Sequence, residues 1–410
     1  MWLTGCAYSM TIEEMLTAPA LTADQSEVLK TLNDYTDEKT VLKYPASGDR
    51  RAPIQFVDID SDGMSEAVLF FSVPTEDVYA MLAVMKKTDG KWQIVSVLKG
   101  PGTDVESISV IRLQDSIGRF LLVEWSNTNS RDNQLAAYHF DDNKITQGFE
   151  DACSDILVYD LDGDSFKEFC YITAGNAYEP FKLKYVDNTS GALALTGECV
   201  LNSEMLSGIN IAAGVLSDGR QAVFVDENIG GDMQTTEVFT IVDGAFEPVV
   251  LSDGYRLNDI AERSINALSC RAIFGGYRIY IPSEQQPFAD IKQPHKWTYW
   301  YSIKDREIVY AGTTYIDSAY QIAISIPDSW LSTVSITNNI SGEPRMIEMY
   351  DSATDSIKLR LKILEIGDES DLYINNGFVL ITQSGSYRYY VQANCPPEEL
   401  NFIKNNFAIM

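Results

Sequence analysis

The sequence predicts a mainly β chain, a five-bladed β-propeller followed by a smaller C-terminal α/β domain, on three observations. Asp-containing hairpin turns recur at Asp89, Asp142, Asp187, Asp243 and Asp305, in steps of 53, 45, 56 and 62 residues. Four short strands fit each step, which is the content of a propeller blade. One strand of every unit is a near-continuous apolar run, the mark of a strand covered on both faces. From Tyr320 the repeat gives way to a different strand pattern, which ends in a helix signal at Pro396-Pro-Glu-Glu399.

Thr11-Ile-Glu-Glu14 and Thr22-Ala-Asp-Gln25 both place Thr three residues before Glu or Gln. This is a capping box, so helices are expected near 12–17 and 23–34, with Pro19 between them. Thr40-Val-Leu-Lys-Tyr44 reads as a strand able to pair with the last blade and close the ring. The five units are expected near 53–98, 107–148, 155–200, 208–250 and 268–312. Their apolar strands are Ala67-Val-Leu-Phe-Phe71, Phe120-Leu-Leu-Val123, Phe169-Cys-Tyr-Ile172, Ala222-Val-Phe-Val225 and Arg278-Ile-Tyr-Ile-Pro282. Gln321-Ile-Ala-Ile-Ser-Ile326 then alternates as a half-buried strand should. Further strands are expected near 345–350, 357–365, 377–383 and 386–392, with a closing helix over 397–406.

The chain carries 31 basic against 59 acidic residues, a formal charge of −28. Such a field repels phosphate backbones, which excludes nucleic acid as a partner, and it repels anionic lipid surfaces equally. The six cysteines include no C-x-x-C pair, so neither a zinc site nor a redox pair is indicated.

Two segments carry metal-binding chemistry. Residues 58–66 read Asp-Ile-Asp-Ser-Asp-Gly-Met-Ser-Glu, and residues 160–168 read Asp-Leu-Asp-Gly-Asp-Ser-Phe-Lys-Glu. Asp58, Asp60, Asp62 and Glu66 in one, and Asp160, Asp162, Asp164 and Glu168 in the other, stand at positions 1, 3, 5 and 9. The carbonyls of Met64 and Phe166 stand at position 7. This alternation gathers oxygen ligands around a hard cation, Ca²⁺. An EF-hand needs flanking helices and Glu at position 12, where this chain has β-type flanks and Leu69 or Tyr171. The competing reading is an acidic β-turn, which Asp, Gly and Ser favour locally. The second loop has Ser165 where the first has Gly63. A positive φ at that position costs a non-glycine residue on the order of 1 kcal/mol, so weaker binding is expected there.

The Asp58 loop, set between strands, resembles the calcium loops of FG-GAP/VCBS-type repeats, the blades of integrin α-like propellers. Together with Leu3-Thr-Gly-Cys6, Leu21-Thr-Ala-Asp-Gln25 and Leu42-Lys-Tyr-Pro-Ala-Ser-Gly-Asp49, it makes residues 1–316 similar to propeller lipoproteins of gut Firmicutes. The corresponding loops Arg112–Gly118, Leu216–Gly219 and Ile273–Gly276 lack clustered carboxylates, so no metal is expected there. Leu3-Thr-Gly-Cys6 resembles a lipobox, in which a signal peptide is cleaved before a lipidated cysteine. Only five residues precede Cys6, so the resemblance implies a native start upstream. It also implies a tether over 1–21 and a place on the extracellular face of the cytoplasmic membrane, reached through the lipid alone. Ile324-Ser-Ile-Pro-Asp-Ser-Trp330 and the Pro-Glu-Glu helix resemble PsbP-type α/β domains. The expected domains are therefore 22–316, the propeller, and 317–410.

Catalytic devices are poorly represented. The two histidines, His139 and His295, have no sequence-evident partner, and no G-x-S-x-G or P-loop occurs. Trp297, Tyr299 and Trp300 could contact a sugar, although blade packing accounts for them. Two function classes remain. The first is a monomeric, non-catalytic, calcium-stabilised binding or scaffold protein for a protein or glycan ligand. The second is a glycan-handling or hydrolytic enzyme using the propeller face.

Overall fold

The computed structural model describes residues 21–36, 40–74, 79–112, 114, 118–128, 130, 132–141, 143–173, 180–188, 192–202, 205–249, 263–264, 271–272, 278–285, 296–337, 345–368 and 371–409. Among these the chain is mainly β, in antiparallel sheets. They form two compact units divided between 154 and 155, with 188 and 192–194 joining the first. Cys6, His295 and the expected helix near 12–17 lie outside the described residues.

The first unit opens with α1 (Ala23–Thr36), whose start is the expected capping box. The Gln25 amide donates to Thr22 Oγ1 at 3.2 Å, and the Thr22 amide donates to Gln25 Oε1 at 3.0 Å. Its buried Val28 and Leu32 cover the first sheet, made of β2 (Ile54–Val57), β3 (Glu66–Ser72), β4 (Met81–Thr88) and β5 (Lys91–Lys99). Alternation along β3 serves two cores. Ala67, Leu69 and Phe71 pack with α1, while Val68 and Phe70 pack with Leu121, Val123 and Trp125 of the second sheet. That second sheet is β6 (Asp104–Arg112), β7 (Arg119–Ser126), β8 (Asn133–Asp141) and β9 (Lys144–Cys153).

One expected pairing is corrected. β1 (Val41–Leu42) joins the first sheet, with Val41 opposite Ser72, and not the last one. β2 is only four residues long and ends its pairing at Leu69, so the rest of that β3 edge is open to β1.

The Gly100-Pro-Gly102 connection is more than a turn. A Cβ on Gly100 would stand 2.4 Å from the buried Trp125 ring, and one on Gly102 would stand 2.7 Å from the Ser126 carbonyl oxygen. Overpacking of this kind costs about 1–3 kcal/mol. Gly100→Ala is therefore expected to lower the urea midpoint with an unchanged slope; an unchanged midpoint would show that Trp125 yields freely.

The second unit holds β10 (Asp155–Tyr159), β11 (Glu168–Thr173), β12 (Lys182–Asp187) and β13 (Ala194–Val200) as one sheet. Another contains β14 (Met205–Val215), β15 (Gln221–Gly230), β16 (Met233–Val242) and β17 (Ala245–Pro248), with β18 (Arg263–Ser264) against β16. β19 (Arg271–Ala272), β20 (Ile279–Gln285), β21 (Trp297–Lys304), β22 (Glu307–Asp317), β23 (Ile322–Ile326) and a strand at Phe407–Ile409 form a third. Cys170 and Ile172 share a core with Val223 and Val225, and Phe224 shares another with Ile279 and Ile281. Each expected four-strand unit is thus one antiparallel meander with its apolar strand inside.

Turn chemistry follows the sequence. Asp89-Gly90 and Asp243-Gly244 have positive φ at both residues, as does Asp305-Arg306, which suits tight hairpins. The expected turn at Asp187-Asn188 is corrected: Asp187 ends β12, and the next strand begins at Ala194.

Strand pairing runs through 317, where a boundary was expected. Asp317 of β22 faces Ile322 of β23 across a four-residue turn, so the third sheet continues into the C-terminal segment. Trp297 and Tyr315 share a core with Trp330, Leu361 and Ile403. A five-stranded sheet follows from β24 (Val334–Thr337), β25 (Met346–Asp351), β26 (Ser356–Glu365), β27 (Val379–Ser384) and β28 (Tyr387–Ala393). The helices α2 (Asp371–Asn375) and α3 (Pro397–Asn405) accompany it.

Candidate metal centre

The first acidic segment connects β2 to β3 and the second connects β10 to β11, and both take the same backbone shape. Ser61 and Gly63 have φ of 61° and 87°, and Gly163 and Ser165 have φ of 87° and 76°. Positions 4 and 6 are left-handed in each loop, with serine and glycine exchanged. The strain expected at Ser165 is therefore matched by Ser61, and it does not rank the second loop below the first.

The glutamate at position 9 anchors each loop from below. Glu66 and Glu168 are both 1% exposed. The Ile59 amide donates to Glu66 Oε2 at 2.9 Å, and the Leu161 amide donates to Glu168 Oε2 at 2.8 Å. Aspartates cap the turn. The Met64 amide donates to Asp62 at 2.8 Å and the Phe166 amide to Asp164 at 2.7 Å. Asp160 accepts from the Gly163 and Ser165 amides at 2.8 and 3.1 Å.

Either cluster could hold a metal ion. Asp58, Asp60 and Asp62 in one, and Asp160, Asp162 and Glu168 in the other, each bring one carboxylate oxygen within 4.8 Å of the rest of their triple. Glu66 and Asp164 stand beside these triples. Asp58 Oδ1 is buried and accepts no hydrogen bond in the first loop.

Sequence reasoning missed the cation beside the first loop. Lys86 Nζ of β4 donates to Asp60 and, at 3.1 Å, to Asp62, and lies 3.7 Å from Glu66. The Arg119 guanidinium is 3.7 Å from Asp58. Asp62 is lowered by its bond from the Met64 amide and then by Lys86. Glu66 is raised by burial first.

In the second loop Glu168 is pushed up to about 8 from an ordinary 4.5, by burial first and by the charges of Asp162, Asp164 and Asp160 besides. Asp162 is raised by burial first as well. A carboxyl raised in the folded state keeps a proton that the unfolded chain has released. The stability this confers is complete below the unfolded value and is lost as pH rises through the folded one. In chelator the melting temperature should therefore fall between about pH 5 and pH 8. Calcium, which favours the ionised form, should flatten that slope, and Glu168→Gln should flatten it in chelator. A slope unchanged by Glu168→Gln would assign the titration to another group.

His139 packs against Phe120 with ring centroids 5.3 Å apart. Trp297 and Trp300 are fully buried, and Trp300 Nε1 donates to Thr314 Oγ1 at 2.8 Å, so neither face is open to a sugar.

No protein-family model and no curated protein matches the chain. Among solved structures it is similar to Chaetomium thermophilum Sqt1, at 8% identity over 76% of each chain with a TM-score of 0.35. It is similar to Bacillus licheniformis rhamnogalacturonan lyase PL11, at 10% identity over 71% of this chain and 81% of that one, with a TM-score of 0.30. A protein from Lactobacillus plantarum is similar at 10% identity over 84% of this chain and 95% of that one, also with a TM-score of 0.30. Likeness at these TM-scores carries no argument about function.

Proposed function

We propose that the protein is a non-catalytic, calcium-stabilised β-propeller that presents a binding or scaffold surface. It is held on the extracellular face of the cytoplasmic membrane by a lipid on Cys6. The pair of acidic loops carries the reading: one backbone shape, twice, with the carboxylates drawn from a single local segment and none directed to chemistry. The cation's work is then to order the connection between two strands. Ca²⁺ fits it better than Mg²⁺, which demands a tight octahedron and gives up water reluctantly. Five meanders of FG-GAP/VCBS type supply the blades over 22–316. A PsbP-like α/β domain over 317–410 extends the sheet of the last one.

The test is made in the native host. Cells making wild type or Cys6→Ala are fractionated, and intact wild-type cells are probed with glycan and peptide arrays in calcium or chelator. Wild type should sediment with membranes, Cys6→Ala should not, and the intact cells should retain one ligand class without cleaving it. Soluble wild type contradicts the anchor, and turnover of a glycan contradicts the non-catalytic reading.

A further inference from the structure

The hairpin of β21 and β22 gathers three tyrosines beside one carboxylate. Successive side chains of a strand point to opposite faces, so Tyr299 and Tyr301 share one face while Trp300 between them is buried on the other. The pairing sets Tyr301 opposite Tyr310 and Tyr299 opposite Thr313. Tyr310 lies against both rings, with centroids 6.1 Å from Tyr299 and 6.3 Å from Tyr301. The planes are inclined by 49° and 66°, so the rings stand as walls at an angle and not as one flat platform. Tyr310 is 39% exposed, and Tyr299 is half-buried.

Asp328, which opens the short helical turn Asp328–Trp330, stands beside these rings. The Tyr310 hydroxyl donates to Asp328 Oδ1 at 2.8 Å. That uses its one proton, so the Thr313 hydroxyl, 2.9 Å away, donates to Tyr310. Tyr299 and Tyr310 are both raised, by burial first, and the Asp328 charge acts on each, so the field of the carboxylate reaches both rings. Asp328 is exposed. Among the described residues, no Lys or Arg pairs with Asp328 or lies over the Tyr299 or Tyr310 ring.

We propose that this face, with Tyr299, Tyr301, Tyr310 and Asp328, binds a quaternary ammonium headgroup. The inference rests on the reading of the protein as a non-catalytic binding module and names one ligand class for it. Charge complementarity selects the occupant. An aromatic face carries the negative part of the ring quadrupole, and the carboxylate and a chain charge of −28 add to the same sign. Inclined rings suit a compact, round cation, whereas a sugar ring stacks on a flat platform. A trimethylammonium group has no N–H to satisfy, so ring faces and one carboxylate are enough to hold it. A primary ammonium has three donors to place, and Asp328 is the one carboxylate of the patch.

The test titrates the full chain by calorimetry, in calcium throughout, with choline and with dimethylbutanol, its neutral carbon isostere. Wild type should bind choline at least about tenfold more tightly than the isostere. Asp328→Asn, which keeps an acceptor for the Tyr310 hydroxyl, should weaken choline about fivefold, and Tyr310→Ala about tenfold or more, with Tyr310→Phe close to wild type. Circular dichroism confirms that each variant is folded; if Tyr310→Ala is not, Asp328→Asn and the isostere decide. Phosphatidylcholine vesicles separate the sources of the headgroup. Pelleting that free choline releases assigns a lipid, and choline binding without such pelleting assigns a soluble or polymer-borne headgroup. Equal binding of choline and the isostere, an affinity unmoved by Asp328→Asn, or no binding of choline overturns the inference. Retention of another ligand class by intact cells would then still support the binding reading.

Discussion

Arg263→Ala is expected to lower stability by about 3–5 kcal/mol, because it leaves a charge buried without its counterion. Arg263 and Asp226 side chains are both 0% exposed, and Arg263 Nη2 lies 2.6 Å from Asp226 Oδ1. Thr236 Oγ1 accepts from Arg263 Nη1 at 2.9 Å and donates to Asp226 Oδ1 at 2.7 Å. Asn210 Nδ2 donates to Asp226 Oδ2 at 3.2 Å. The group joins β14, β15, β16 and β18, so its loss should loosen one whole sheet. A Coulombic pair in such a place does not itself guarantee net stability, since taking both ions out of water is costly. The double variant Asp226→Leu with Arg263→Met should therefore recover most of the loss. Urea unfolding reads both. A loss under about 1 kcal/mol for Arg263→Ala would show that Asp226 finds another partner instead.

Much of this architecture is legible in the sequence where a local rule fixes it. Asp-Gly pairs supply the positive φ of tight hairpins, so Asp89 and Asp243 mark real turns. Thr22 and Gln25 exchange bonds at the helix start as their spacing demands. The apolar strands are buried because only a strand covered on both faces can be apolar throughout. What was missed depends on long-range register. Two residues at Val41 carry no periodicity, and their partner is set by how short β2 is. Lys86 meets the first acidic loop only through the pairing of β3 with β4, and Arg263 lies in a two-residue strand with no pattern of its own. The two loops themselves were legible, but their difference was sought in Ser165, where the backbone is the same in both.

The largest effect of a ligand should come from calcium. Binding to the folded state alone stabilises by RT ln(1 + [L]/Kd), about 2.7 kcal/mol at a hundredfold excess over Kd. The second loop has the most to gain. Its buried Glu168 and the aspartates around it repel one another, and among the described residues no ion pair with an ammonium offsets them as Lys86 does in the first. Removing Asp162 deletes one member of the converging triple while leaving Glu168 bonded to the Leu161 amide. Asp162→Ala should therefore lose the response to calcium without losing the fold.

Scanning calorimetry of wild type and Asp162→Ala, each in calcium and in chelator, tests the cation-stabilised propeller most directly. Wild type should melt several degrees higher in calcium than in chelator, and Asp162→Ala should melt alike in both. Wild type melting at one temperature in both conditions would reduce the two loops to acidic turns and contradict the account.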